Sequence, residues 1–150
     1  FPDLIDRGAA FYAMTTGSYW IETGTPREYL KANLDALLGL YQNGAEGRRN
    51  DNMTLVADGA MVDPTASTYL SCIGTGAVIE AGAAVERSVL LPGSVVCSGA
   101  TVRSSIIGVG ARVAGLTRVE GETVGDAGVV TASSSRFPSR LRRIQPAPSV

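Results

Sequence analysis

A chain of 150 residues with 45% hydrophobic content and a formal net charge of -1 can bury a core, and it lacks the basic excess expected of a nucleic-acid binder. No apolar run approaches the roughly 18 residues that span a bilayer and no basic-then-apolar leader is seen, so a cytoplasmic location is expected. Histidine is absent, which excludes from these residues any chemistry that needs an imidazole base or ligand.

Residues 18–38, SYWIETGTPREYLKANLDALL, read as the end of a strand, a tight turn and a helix. Thr25 stands as N-cap, Pro26 at the first helical position and Glu28 three after the cap, which is the pattern of a capping box. Leu30, Leu34, Leu37 and Leu38, with Tyr41 as a further candidate, give an apolar stripe, and Gly39 stops the helix. One acid, Glu22, sits just before the turn. Residues 42–54, QNGAEGRRNDNMT, are polar and contain glycine, and are expected to form a linker after a first unit at 1–41.

From Val56 the chain repeats every 17 residues, as VADGAMVDPTASTYLSC, IGTGAVIEAGAAVERSV, LLPGSVVCSGATVRSSI and IGVGARVAGLTRVEGET, with a fifth copy starting at Val124. Each copy divides into three units that open on a branched aliphatic. The columns are Val56, Ile73, Leu90, Ile107, Val124; Val62, Ile79, Val96, Val113, Val130; and Thr68, Val85, Val102, Val119. Small residues follow four places on in the first column, at Ala60, Ala77, Ser94, Ala111 and Gly128. The same spacing on the third column selects Cys72, Val89, Ile106 and Thr123 as inward positions. By that register Cys72 points in and Cys97 out, so no disulfide is expected between them.

Large residues at unit starts and small ones later suit a triangular prism of short parallel strands, each bonded to the coils above and below. Glycines recur at the corners, Gly59, Gly76, Gly93 and Gly110 on one edge and Gly82 and Gly99 on another, where a positive φ is expected. A β-sandwich would alternate along longer strands and would not hold a fixed 17-residue register. The expected class is mainly β, a parallel β-helix of about five coils over residues 55–134. An outward row, Met61, Val78 and Val95, is apolar in three successive coils and is expected to lie under the Leu30/Leu34/Leu37 helix, an oligomer contact being the alternative. Residues 135–150 form an arginine-rich tail, with Phe137, Leu141 and Ile144 at helical spacing, suited to covering the open last coil.

The repeat resembles the hexapeptide-repeat left-handed β-helix, and the hand rests on that resemblance alone. The first forty residues resemble the end of the catalytic domain of sugar-nucleotide pyrophosphorylases. The carriers are the Phe1-Pro2 segment, the run Tyr19-Trp20-Ile21-Glu22-Thr23-Gly24-Thr25-Pro26 and the helix after it. Among these enzymes the mannose-1-phosphate guanylyltransferases match best, since their catalytic domain is also followed by a left-handed β-helix.

The resemblance implies the joining of a sugar 1-phosphate to a nucleoside triphosphate with release of pyrophosphate, and Mg²⁺ held by carboxylates against phosphate oxygens. It makes Glu22 a metal ligand, where the family usually has aspartate, and puts Tyr19, Trp20 and Gly24 on the sugar side of the pocket. It makes residues 1–41 a strand-turn-helix remnant of an α/β nucleotidyltransferase domain. Separately, a β-helix is a rigid prism whose sides suit self-association, so a homo-oligomer built through it is expected. The family's glycine-rich nucleotide loop, with its arginine and downstream lysine, is not found in these residues. GVGARVAG at 108–115 falls inside the repeat register and is punctuation of it. The chain is therefore expected to be inactive alone and, since it opens on Phe1, to be part of something longer. The rival reading is a non-catalytic assembly or regulatory module. Acyltransferases and carbonic anhydrases of the same fold use histidine, which disfavours both.

Overall fold

The computed structural model describes residues 1–41 and 47–132. Residues 42–46 of the expected linker and the arginine-rich tail at 135–150 therefore lie outside the described residues. The described chain is mainly β. Two helices, α1 at Pro2–Asp6 and α2 at Pro26–Leu37, precede fifteen strands of two or three residues each. No helix among the described residues is long and apolar enough to cross a membrane.

The strands stack into three faces of a parallel solenoid. One face carries Leu55–Val56, Cys72–Ile73, Val89–Leu90, Ile106–Ile107 and Thr123–Val124. The next carries Met61–Val62, Val78–Ile79, Val95–Val96, Arg112–Val113 and Val129–Val130. The third carries Ser67–Tyr69, Ala84–Glu86, Thr101–Arg103 and Arg118–Glu120. The described residues thus hold four complete coils and two faces of a fifth, slightly fewer than the five expected. Pairing joins residues 17 apart at every step, as in Met61 to Val78 and Val78 to Val95. The backbone bonds run along the axis: Met61 N–H donates to Ala77 C=O at 2.8 Å, Val78 to Ser94 at 2.9 Å and Val95 to Ala111 at 2.8 Å.

Period-two alternation on each short strand sends one side chain into the prism and its neighbour out. The thirteen Val, Ile and Leu residues at unit starts all join one core, with Ala77, Ala83, Ala100 and Ala111 filling the narrow corners between them. The six expected corner glycines all have positive φ, from 63° to 73°. Their edges are continued by Leu116 and Ala127, also at positive φ.

The third corner departs from the expectation. Leu70, Arg87 and Ser104 take φ of 43° to 49° without being glycine, and Gly121 follows them in register. Next to each sits a buried serine, Ser71, Ser88 or Ser105, which takes the inward small position that the sequence register gave to Cys72, Val89 and Ile106. Each hydroxyl donates to a carbonyl two residues back and accepts the backbone N–H one coil on, Ser71 from Ser88 at 3.1 Å and Ser88 from Ser105 at 3.2 Å. This ladder satisfies corner groups that would otherwise be buried without partners. Cys72 therefore faces outward from the prism, the reverse of the expectation, and Cys97 is buried; both are free thiols.

The expected linker also proves partly structural. Arg48–Arg49 (β1) pairs antiparallel with Leu55–Val56 (β2). Asn50 closes the hairpin, its Oδ1 accepting from Asn52 N–H and Thr54 N–H at 3.1 and 2.9 Å. Met53 (φ 54°) and Thr54 occupy the places of Leu70 and Ser71 one coil earlier, so the repeat begins before Val56.

The helix expectation holds apart from Leu38, which was expected in the apolar stripe but is the C-cap and stands exposed. Thr25 Oγ1 accepts from Glu28 N–H and Glu28 Oε2 accepts from Thr25 N–H, which completes the capping box, and Gly39 at φ 77° ends the turn. Its seat differs from the one expected. Leu34 and Leu37 bury themselves against Leu70, with Leu30, Met53, Leu55 and Cys72 around them. The row Met61, Val78 and Val95 lies on the neighbouring face, and Met61 is 62% exposed. The strand end expected at residues 18–22 does not form: a strand needs a neighbour to take its backbone bonds, and no ladder among the described residues runs beside it.

Candidate functional site

Two places collect polar side chains near the joint between α2 and the solenoid. The first is the segment Ser18–Thr25, held by Tyr19. The Tyr19 hydroxyl donates to Asp35 Oδ2 on α2 at 2.5 Å, and its ring stacks on Tyr41 with centroids 4.8 Å apart. Tyr41 in turn donates to the Ala32 carbonyl at 2.9 Å. Lys31, one turn before Asp35, donates to the same carboxylate oxygen. Helical i, i+4 spacing brings Lys31 and Asp35 together, so the pair follows from the local sequence.

The electrostatics follow from these contacts. The hydrogen bonds from Lys31 and then Tyr19 hold the Asp35 carboxyl below its usual range. The bond to the Asp35 carboxylate, with desolvation behind it, pushes the Tyr19 phenol up to about 12. Tyr19 therefore stays protonated at neutral pH and acts here as a clasp, joining the segment before the helix to the helix itself.

Trp20, Glu22 and Gly24 are brought close in the chain and stand toward solvent, Trp20 with 79% of its surface exposed. A Cβ added to Gly24 would lie 3.5 Å from Glu22 Oε1, so the carboxylate rests against the bare backbone of the turn. Glu22 offers one carboxylate. Among the described residues no group of three or more His, Cys, Asp or Glu side chains is placed to hold a metal ion. Magnesium takes near-octahedral oxygen ligation, commonly one or two carboxylates with phosphate oxygens and water. Glu22 by itself thus fits one position of such a shell and does not form the shell.

The second place is the open first end of the prism, a depression of about 540 Å³ lined by Arg48, Arg49 and Asn50 above Val56, Ala60, Met61 and Val62. The hairpin that frames it was missed because its residues read as a polar linker. The recurrence of Met53 and Thr54 at the register of Leu70 and Ser71 was the available signal. Neither cysteine is an activated nucleophile: burial pushes the Cys72 thiol up to about 11 and also raises Cys97.

Comparison with known proteins adds the family. No curated protein matches the sequence. Among solved structures the chain is similar to the acetyltransferase domain of PglB from Neisseria gonorrhoeae FA1090, at 23% identity over 52% of this chain and 49% of that one, with a TM-score of 0.41. It is also similar to a mutant perosamine N-acetyltransferase from Caulobacter crescentus in complex with CoA and GDP-perosamine, at 23% identity over 52% of this chain and 48% of that one, with a TM-score of 0.38. The chain thus spans about half the length of these structures, and at that level neither bears on its activity. The GMPPB C-terminal domain matches residues 50–136, which takes in every described coil and begins just after Arg48–Arg49. By that match over more than half of its length, the chain belongs to the GMPPB C-terminal domain family, that of mannose-1-phosphate guanylyltransferase beta.

Proposed function

We propose that the chain is the C-terminal part of a nucleotidyltransferase that makes an NDP-sugar, GDP-mannose first among the choices, from a sugar 1-phosphate and a nucleoside triphosphate with release of pyrophosphate. The observation that carries this reading is the joint. A helix that opens on the Tyr19-Trp20-Ile21-Glu22 segment is seated on the first coil of a solenoid of the GMPPB family. Within a complete catalytic domain Glu22 would supply one carboxylate to Mg²⁺, whose chemistry is to neutralise phosphate charge as the leaving pyrophosphate develops. Trp20 and Gly24 would border the sugar, while Tyr19 fixes the segment's position through Asp35. The reaction would take place in the cytoplasm, where its nucleotide substrates are available.

The solenoid would serve assembly or regulation. Its second face carries Met61, Val78 and Val95 outward in three successive coils before Arg112 and Val129 follow in the same row, and the three-coil apolar strip would suit a second copy of the chain. A non-catalytic assembly module is the reading favoured by that strip taken alone.

The test supplies a complete N-terminal catalytic domain in front of residue 1 and measures pyrophosphate release from GTP and mannose 1-phosphate with Mg²⁺. Activity in the joined protein, silence in the chain alone and a large loss with Glu22→Gln support the proposal. A joined, folded protein that releases no pyrophosphate with any sugar 1-phosphate and nucleotide leaves the assembly module as the correct reading. For that module, Val78→Glu should separate the subunits.

A further inference from the structure

The open first end of the prism is built differently from the coils that follow it. Val56 and Val62, the unit-start residues of the first coil, are only half-buried, whereas Ile73 and Ile79 in the next coil are fully enclosed. With Ala60 they floor the depression of about 540 Å³, a size in the range of small-molecule sites. The third column changes its chemistry at the same place, where Val85, Val102 and Val119 give way to Thr68. Thr68 is 7% exposed, and its hydroxyl oxygen accepts from Asn50 Nδ2 at 3.3 Å, which leaves the hydroxyl proton free to donate.

Arg48 stands over this floor. Residues directly opposite one another on an antiparallel pair share a side of the sheet, so Arg48 takes the inward side with Val56, and Arg49 the outer side with Leu55 and Cys72. Arg103, Arg112 and Arg118 each have an acidic partner, whereas neither Arg48 nor Arg49 has one among the described residues. A guanidinium without a counter-charge, a buried hydroxyl with a spare proton and an unfinished apolar floor thus meet at one concavity.

We infer that this depression binds a small organic phosphate, its anionic head on Arg48 and Thr68 and its apolar or aromatic body on Val56, Ala60 and Val62. The phosphoryl oxygens accept from the planar fork of the Arg48 guanidinium and from the Thr68 hydroxyl. The body covers the aliphatic surface that the fold leaves wet, and Arg49 at the rim adds positive charge. A nucleoside monophosphate has both parts at about the right size. Tyr19, Trp20, Glu22 and Gly24 do not line the depression, so the site is separate from the arm and owes nothing to nucleotidyl transfer.

The test is titration calorimetry on the full chain with AMP, GMP and UMP as probes, and with adenosine and inorganic phosphate as the separate halves. At least one nucleotide is expected to bind with a Kd below about 1 mM, and adenosine and phosphate each at least about tenfold more weakly. Arg48→Gln should weaken the nucleotide at least about tenfold, and Thr68→Val, which restores the residue of the other coils, at least about threefold. Both variants should keep the thermal transition, and Arg103→Gln on the third face should bind as the unaltered chain does. Absence of binding to the folded chain at about 10 mM of each nucleotide, or binding that survives Arg48→Gln, overturns the inference. Phosphate binding as tight as that of the nucleotides also overturns it, because the floor then contributes nothing. Binding lost with Glu22→Gln and kept with Arg48→Gln assigns the nucleotide to the arm, which overturns this site while supporting the proposed transfer reaction.

Discussion

The solenoid and the arm before it are built on opposite principles. Between Leu55 and Val130 each residue is fixed by partners 17 positions away, so that inward, outward and corner roles recur coil after coil. Residues 10–24 form no strand and no helix, and most of their surface is wet. The arm is tied to the rest through the Tyr19 clasp and α2. Order in the first region comes from repetition, whereas in the second it hangs on single contacts. A repeated contact can be weakened at one coil and carried by its neighbours, but a single contact cannot.

Four changes sharpen that contrast. The largest effect is expected from Val102→Asp, which puts a carboxylate at a fully buried position of the central core. A cost of about 4 kcal/mol or more is expected, enough to prevent folding, and loss of the cooperative thermal transition is the readout. Leu37→Ala should cost about 2–4 kcal/mol locally, because Leu37 is 4% exposed in the α2 joint. Proteolysis should then release the arm while the coils stay resistant, and an intact arm would mean that other contacts hold it.

Ser94→Ala should act in the opposite direction. Its hydroxyl is buried in the column of Ala77 and Ala111 with no hydrogen-bond partner among the described residues, so removal should stabilise by about 1 kcal/mol and raise Tm. A lower Tm would show that the hydroxyl has found a partner.

The smallest effect is the pH dependence of the clasp. Asp35 titrates below its usual 3.8, so the stability it contributes is present above that value and is lost as pH falls through the folded one. Tyr19 titrates at about 12 instead of 10.0, so its contribution is present below pH 10 and is lost as pH rises towards 12. Fluorescence of Trp20, the one tryptophan and the neighbour of Tyr19, should therefore change at both extremes. Tyr19→Phe should abolish the alkaline step, and its persistence would place that titration elsewhere.

The same contrast explains what was legible in the sequence. The 17-residue register placed all thirteen unit-start aliphatics in the core and located the glycine corners, because repetition supplies several readings of every position. It misjudged the third corner, where Leu70, Arg87 and Ser104 adopt the left-handed conformation that side chains ordinarily disfavour by about 1–2 kcal/mol. No glycine marked that turn in the first three coils, so the register slipped by one and sent Cys72 inward. The recurring Ser71, Ser88 and Ser105 were the overlooked mark.

Helix α2 was legible through its local capping signals, yet its seat was not, since amphipathicity shows that a face is buried and not which surface buries it. The grouping of Trp20, Glu22 and Gly24 was visible as a motif. The commitment of Tyr19 to Asp35 and Tyr41 depended on residues 16 and 22 positions away and had no local signature.

Amide hydrogen exchange on the full chain tests this division most directly. The solenoid account predicts slow exchange recurring every 17 residues, at Val78, Val95 and Arg112 along one face, intermediate protection in α2, and rapid exchange across residues 10–17. Protection in the arm equal to that in the coils, or slow amides without the 17-residue recurrence, would contradict it.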